Sequence, residues 1–268
     1  YIQNLGNAIR EAIQMEGLKL RTAEAQSSAI LSNVLTNLPA VLQGAPWKRL
    51  MGKSPGIPAL VLAPGPSLEE AIPHLHAYRD RALFLAVDTA HKILVRKNIV
   101  SDGVVSLDFT ELNARHFDTL EKDEAILFAF PGVHPSMPLR YLGRTFFYDH
   151  SGSVDFGAGA TPLHKSLPSL GGLGDLISFG STAHIALHAA RLMGCSPIVL
   201  VGNDLAFPDS RWYAAGAMQN ELTQTERERE PLLSVPANDG RKVFTSGLYK
   251  HYLETFGELI RASAALVI

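Results

Sequence analysis

The sequence predicts an α/β protein, a doubly wound and mostly parallel sheet preceded by an N-terminal helical segment. From Pro58 onward, short and wholly apolar runs alternate with helix-forming stretches, the pattern of strands covered on both faces by crossover helices. Several of these runs end on small, hydroxyl-bearing or acidic residues. In an open parallel sheet such ends emerge together at one edge, where ligands bind. Ahead of Pro58 the pattern is helical, with no proline before Pro39.

Taken in order, residues 3 to about 35 place Leu5, Ala8, Ile9, Ala12, Ile13, Ile30, Leu31, Val34 and Leu35 at helical spacing, which predicts one or two helices. Gly44 to Gly56 reads as a connector, so residues 1–54 form the helical segment and 55–268 the α/β domain. Ala59–Ala63 is the first strand, ending in Pro64-Gly65-Pro66, and Ser67 is expected to cap a helix opening Leu68-Glu69-Glu70. Leu83–Val87 is a strand ending at Asp88-Thr89, followed by a helix over Ala90–Lys97. Gly103–Leu107 ends at Asp108, Ala125–Phe130 is a fourth strand and Thr145–Tyr148 a fifth. Ser151 to Gly174 is rich in Gly, Ser, Thr and Pro and reads as a functional loop. Ser181–Met193 is a helix capped by Ser181 and closed by Gly194. Ile198–Val201 is a strand, Asp209–Glu230 a polar, mobile excursion, Tyr249–Arg261 a helix and Ala265–Ile268 a last strand. Both termini read as cut ends of a longer protein.

At 268 residues with 46% hydrophobic and 19% charged content, the chain can bury a sizeable core. A net charge of −2 gives no global attraction to nucleic acid or an acidic membrane surface. No apolar run reaches the ~20 residues of a membrane helix, and a cytoplasmic location is expected. The single Cys195 excludes an internal disulfide and a Cys-cluster metal site, and reads as buried filler.

Four strand ends supply the candidate site: Ser67, Asp88-Thr89, Asp108 and Asn203-Asp204, converging with Gly65, Pro66, Gly202 and the helix start Gly180-Ser181-Thr182. Glycines admit a ligand to the backbone, and open N–H groups at a helix start favour phosphate, so the ligand expected is a nucleotide or another phosphorylated molecule. The N–H groups of Ser181, Thr182 and Ala183 are expected to be open at that first turn. An Asp204→Ala change is expected to weaken nucleotide binding far more than folding. Neither the dinucleotide fingerprint nor a P-loop is present, and Gly171-Gly172-Leu173-Gly174 follows no strand. His184 and His188 sit four apart on one helix but lack a third metal ligand, and read as a surface or packing pair. General-base candidates are His150, His164 and His251, with His251 chosen as catalytic beside Tyr213, whose phenol can bond a leaving phosphate.

Pro58–Leu68, Asp88-Thr89-Ala90, Ser106-Leu107-Asp108, and Gly180-Ser181-Thr182-Ala183 through Asp204-Leu205-Ala206 together resemble the central domain of the motility accessory factor (Maf) glycosyltransferases. That domain family also contains the archaeal 6-hydroxymethyl-7,8-dihydropterin pyrophosphokinases (MptE-like). The resemblance spans roughly residues 55–268. The Ser181-to-Asp204 stretch is also similar to the motif of bacterial sialyltransferases that bind CMP-sialic acid. Ala63 stands where the family has its first glycine, Thr182 where Val is usual and Tyr213 where a His is frequent.

The resemblance implies a sialyltransferase-like, Rossmann-type fold and a nucleotide-sugar donor of the CMP-nonulosonic acid type. The implied acceptor is a protein hydroxyl such as a flagellin Ser or Thr. It places Gly65, Pro66 and Ser67 on phosphate or ribose, Asp88 and Asp108 in the pocket, Gly180, Ser181 and Thr182 on phosphate, and Gly202, Asn203 and Asp204 on the nucleotide. No cofactor is obligatory in this reading. The alternative is a pterin pyrophosphokinase using ATP, with Mg²⁺ held by Asp88, Asp108 or Asp204. A third reading is a non-catalytic nucleotide-binding module whose N-terminal helices meet a partner, with a homo-oligomer left open.

Overall fold

The computed structural model describes residues 27–115, 117, 123–151, 172–217, 232–263 and 265–268. The helical prediction before residue 27, His164, most of the Ser151–Gly174 stretch and the end of the polar excursion lie outside these residues.

A helix, α1, covers residues 27–43. The stretch expected to be a connector then contributes a two-residue edge strand, β1 (Ala45–Pro46), and a 3₁₀ turn whose Trp47 is fully buried. The predicted alternation follows: β2 (Ala59–Leu62), α2 (Ser67–Leu75), β3 (Leu83–Val87), α3 (Asp88–Arg96) and β4 (Gly103–Ser106). After a short α4 (Glu111–Ala114) come β5 (Ile126–Ala129), α5 (Ser136–Arg140) and β6 (Thr145–Phe147). Two further strands, β7 (Asp149–Ser151) and β8 (Asp175–Ile177), pair in parallel with each other at the two ends of the stretch expected to be a loop. The chain continues through α6 (Thr182–Met193), β9 (Ile198–Val201), a hairpin of β10 (Leu233–Pro236) and β11 (Lys242–Thr245), and α7 (Gly247–Arg261).

The main sheet has seven strands in the order β1-β6-β5-β4-β3-β2-β9, every pair parallel. From β2 the chain steps outward one strand at a time to β6, then returns to lay β9 on the other side of β2. The reversal of direction between β2 and β9 opens a crevice outside their carboxyl ends. Residues 265–268 run along β9, Ile198 bridging Val267, instead of forming a full strand.

The strands are apolar because both faces are covered: β2 and β4 are buried throughout. α6 packs over β2, β3 and β4 with Ile185, Ala186, Ala189 and Ala190 fully buried. Its small side chains let the helix axis approach the sheet closely. α1 is tied on by Asn37, whose amide donates to the carbonyls of Pro131 and Val133 at 2.9 and 2.8 Å, and by Asn33, which donates to Phe109 and Gly132. Cys195 is buried, and burial pushes its thiol up to about 11, so it is filler and not a nucleophile. Among the described residues no helix is long and apolar enough to cross a membrane.

Candidate functional site

A cleft of about 310 Å³ opens at the β2–β9 crevice. Of the residues expected in the site, it brings together Gly65, Asp88, Thr89, Gly180, Ser181, Thr182, Gly202, Asn203, Asp204 and Tyr213. Pro66, Ser67, Asp108 and His251 are not on its surface.

One wall is a pair of interlocked turns. Gly65 follows β2 and donates its N–H to the carbonyl of Gly202, which follows β9, at 2.8 Å. A Cβ at Gly65 would strike the Asp204 carboxylate and stand 2.5 Å from the Gly202 carbonyl. Gly202 has φ +71°, and a Cβ there would strike the carbonyl of Ala63. Both positions admit only glycine. Asp204 then reaches across to α2: its carboxylate accepts the Ser67 N–H at 3.1 Å and the Ser67 hydroxyl at 3.0 Å. The residue at the N-cap of α2 is Pro66, which has no side-chain cap, so Ser67 does not cap the helix as expected. Asp204 satisfies the helix's first donor instead. Burial holds the Asp204 carboxyl above its usual range, against the opposing pull of the Ser67 bonds.

Asp88 forms the floor. It opens α3 immediately after β3, is 7% exposed, and accepts the Thr89 N–H at 2.9 Å and the Ser106 hydroxyl at 3.3 Å. Asn113 donates in turn to Ser106, and the Tyr148 hydroxyl donates to the Ser106 carbonyl. Burial raises Asp88 to about 6, the nearby Asp108 charge adding to the rise and these hydrogen bonds moderating it. Asp108 itself folds back to accept the Thr110 N–H at 2.8 Å and reaches the cleft only through that field.

The opposite wall starts at α6. Ser181 is its N-cap, with its hydroxyl accepting the Ala183 N–H at 3.3 Å. The expected three open donors are therefore two, Ser181 and Thr182, because Ala183 is taken by the cap. Gly180 at φ +91° turns the chain into the helix, and the Tyr252 hydroxyl donates to its carbonyl at 2.8 Å.

The histidines divide sharply. His184 is fully buried, stacked on Phe256 at 3.9 Å, and burial pulls it down to about 4. His188 accepts the Ile177 N–H on Nδ1 and is likewise lowered to about 4 by burial. These two are the packing pair expected, and no group of three metal-ligating side chains occurs among the described residues. His150 is buried beside Phe130, away from the cleft lining. His251 is exposed on α7, its ring tilted against Tyr252.

Of the last wall, only Tyr213 was expected. Trp212, Tyr213, Leu248, Tyr249 and Tyr252 all line the cleft, and the Tyr249 hydroxyl donates to that of Tyr213 at 3.2 Å. Residues 211–217, expected to belong to a polar excursion, are packed here: Ala214 is fully buried and donates its N–H to the Pro64 carbonyl, and Arg211 pairs with Glu69. Helical spacing held the signal, since Tyr249, Tyr252 and Phe256 share one face of α7 and His251 lies on another.

The family described as 6-hydroxymethylpterin diphosphokinase MptE-like matches residues 32–210, more than half of the chain. Among curated proteins, none matches this sequence. Among solved structures, the chain is similar to the Maf glycosyltransferase from Magnetospirillum magneticum AMB-1, with a TM-score of 0.60 and 17% identity. The similarity covers 85% of this chain and 35% of that one, so the chain spans about a third of the glycosyltransferase. The chain belongs to the MptE-like family, and its fold is that of the Maf enzyme's matching region.

Proposed function

We propose that this MptE-like family member transfers a sugar from a nucleotide donor carrying a single phosphate, of the CMP-nonulosonic or sialic acid type, to a protein hydroxyl such as a flagellin Ser or Thr. The observation that carries the reading is the charge of the cleft. Its lining contains the carboxyl groups of Asp88 and Asp204, no Lys or Arg among the described residues, and the start of α6, whose Ser181 and Thr182 N–H groups its cap does not take. A seat of two backbone N–H groups suits a single phosphate, and a polyphosphate would meet the carboxylates without a compensating cation.

In this reading the phosphate lies on the Ser181 and Thr182 N–H groups. The acceptor oxygen bonds to the anomeric carbon, its proton passes to the Asp88 carboxylate, and the bond from that carbon to the phosphate oxygen breaks with its electron pair on the phosphate. The helix dipole and the Tyr213 phenol receive that charge. A carboxyl poised near 6 is ionised at neutral pH and is a stronger base than an ordinary one, which favours Asp88 over the exposed His251.

Family membership favours a second reading, pterin pyrophosphoryl transfer from ATP. Asp88 and Asp204 keep lone pairs beyond the hydrogen bonds described, and so fit as oxygen ligands for Mg²⁺, which would neutralise the transferred phosphates. Calorimetry against CMP, UDP, and ATP with Mg²⁺ and a hydroxymethylpterin separates the readings. CMP binding tighter than UDP or ATP is expected, with CMP-sialic acid turnover rising through pH about 6 and losing at least a hundredfold in Asp88→Asn. Joint ATP and pterin binding with no CMP response would replace this reading by the second, and silence toward every nucleotide by the non-catalytic module.

A further inference from the structure

We propose that Trp212, Tyr249 and Tyr252 are the ring-binding wall of the cleft, the subsite that takes the planar nitrogen heterocycle of the ligand. This rests on the nucleotide reading above and adds to it the recognition of the base. Elsewhere in the fold Trp47, Phe84, Phe128 and Tyr148 are fully buried core residues. Trp212, Tyr249 and Tyr252 instead are half-buried and line the cleft. They form a continuous series, Trp212 to Tyr249 at 6.2 Å and Tyr249 to Tyr252 at 6.1 Å between ring centroids.

The wall is preorganised from behind and from the side. Phe207, 3% exposed, stacks on Trp212 at 3.7 Å and 21° and holds the indole in place. Tyr252 is tied through its hydroxyl to the carbonyl of Gly180, the residue before Ser181, at 2.8 Å. That bond fixes the wall beside the phosphate seat, so a ligand anchored there by its phosphate meets these rings with its other end. Every base presents a π face, and stacking on rigid aromatics is strong and tolerant of base identity.

Trp212 is also a built-in reporter, because the chain has only two tryptophans and the other, Trp47, is fully buried. Titration of the full chain with CMP, ribose 5-phosphate and a pterin, followed by tryptophan emission and calorimetry, tests the wall. CMP should quench the emission, while ribose 5-phosphate, which lacks the ring, should bind roughly tenfold or more weakly and leave emission unchanged. Tyr249→Leu should lower CMP affinity about tenfold without moving ribose 5-phosphate affinity, and Tyr249→Phe should restore it. Equal affinity for CMP and ribose 5-phosphate, or equal losses for both in Tyr249→Leu, would overturn the wall and leave the transferase reading standing. Quenching by a pterin with no response to CMP would keep the wall and remove that reading. Absence of binding by any of the three ligands removes both.

Discussion

Three of the helices that begin at the cleft treat their N-termini in different ways, while a fourth, α7, is capped by the Ser246 hydroxyl, which accepts the Tyr249 N–H at 3.2 Å. α2 and α6 both follow a turn of small residues, Gly65-Pro66-Ser67 in one and Gly180-Ser181 in the other. The first donor of α2 is already taken by an anion of the protein's own, the Asp204 carboxylate. α3 carries its anion as its first residue, Asp88. Of these three, α6 alone caps itself with a neutral hydroxyl and leaves its Ser181 and Thr182 donors outside that cap. The same local signal thus yields a structural staple or a pair of donors the helix does not use, and the choice depends on whether a carboxylate arrives from elsewhere in the chain.

The comparison is broken most severely at the stapled side. Gly202→Ala should destabilise the fold by about 3 kcal/mol or more, since the added carbon meets the Ala63 carbonyl in a left-handed backbone. A urea midpoint within experimental scatter of the wild type would show that these turns are not locked.

At α3 the effect depends on pH. Asp88 titrates near 6 when folded, against 3.8 for the free side chain, so the folded chain holds more protons across that window. Its contribution to stability therefore falls as pH rises through it, by about 3 kcal/mol at pH 7.5, while the buried His184 and His188, lowered to about 4, contribute the opposite slope. Asp88→Asn should remove this contribution alone, making the variant more stable than the wild type at pH 7.5 with little difference between the two at pH 4, by chemical melts at both values. A difference between variant and wild type that is the same at both pH values would place the titration elsewhere.

Asp204→Ala should cost about 2 kcal/mol, because the Ser67 N–H and hydroxyl lose their acceptor. Inorganic phosphate affinity should stay close to wild type. This reverses the weighting expected from sequence, in which binding suffered more than folding. Phosphate affinity that collapses while the melt is unchanged would return Asp204 to the ligand.

The open side gives the smallest and most selective change. Thr182 is the first residue of α6 and follows Ser181 in extended backbone, a context that accepts proline and loses only the N–H. Thr182→Pro should weaken phosphate binding about tenfold with the melting curve unmoved. Ser181→Ala should do the opposite, losing ~1 kcal/mol of cap while phosphate still binds. Equal phosphate affinity in Thr182→Pro and wild type would leave α6 with no role beyond packing.

The strands were legible because burial on both faces leaves a wholly apolar run, as in Leu60-Val61-Leu62 and Ile198-Val199-Leu200-Val201. Gly194 closes α6 in the left-handed conformation its position required. The convergence of Asp88, Gly202 and Ser181 followed from their strand-end and helix-start positions. The staple was hidden, since Ser67 and Asp204 are 137 residues apart and each alone reads as a cap or a ligand. The aromatic wall was hidden for another reason: Trp212 lies in a polar segment whose packing depends on the distant carbonyl of Pro64. β1 and the β7–β8 pair are two or three residues long, too short to show a period.

The β2–β9 pairing has a consequence for the newly made chain. Synthesis delivers β2 early, and its partner β3 soon after, but the other edge of β2 is bare until β9 has emerged. An apolar strand with an open edge is a template for pairing with another molecule. A chain halted before Ile198 would carry that edge permanently, and its association with other chains would mark it for chaperones or proteases. Closure of the Ser67–Asp204 link comes only when both turns are in place, so a ligand seated in the cleft would report that the long return across the sheet has been completed. In a cell, occupancy of the cleft would distinguish finished molecules from stalled ones.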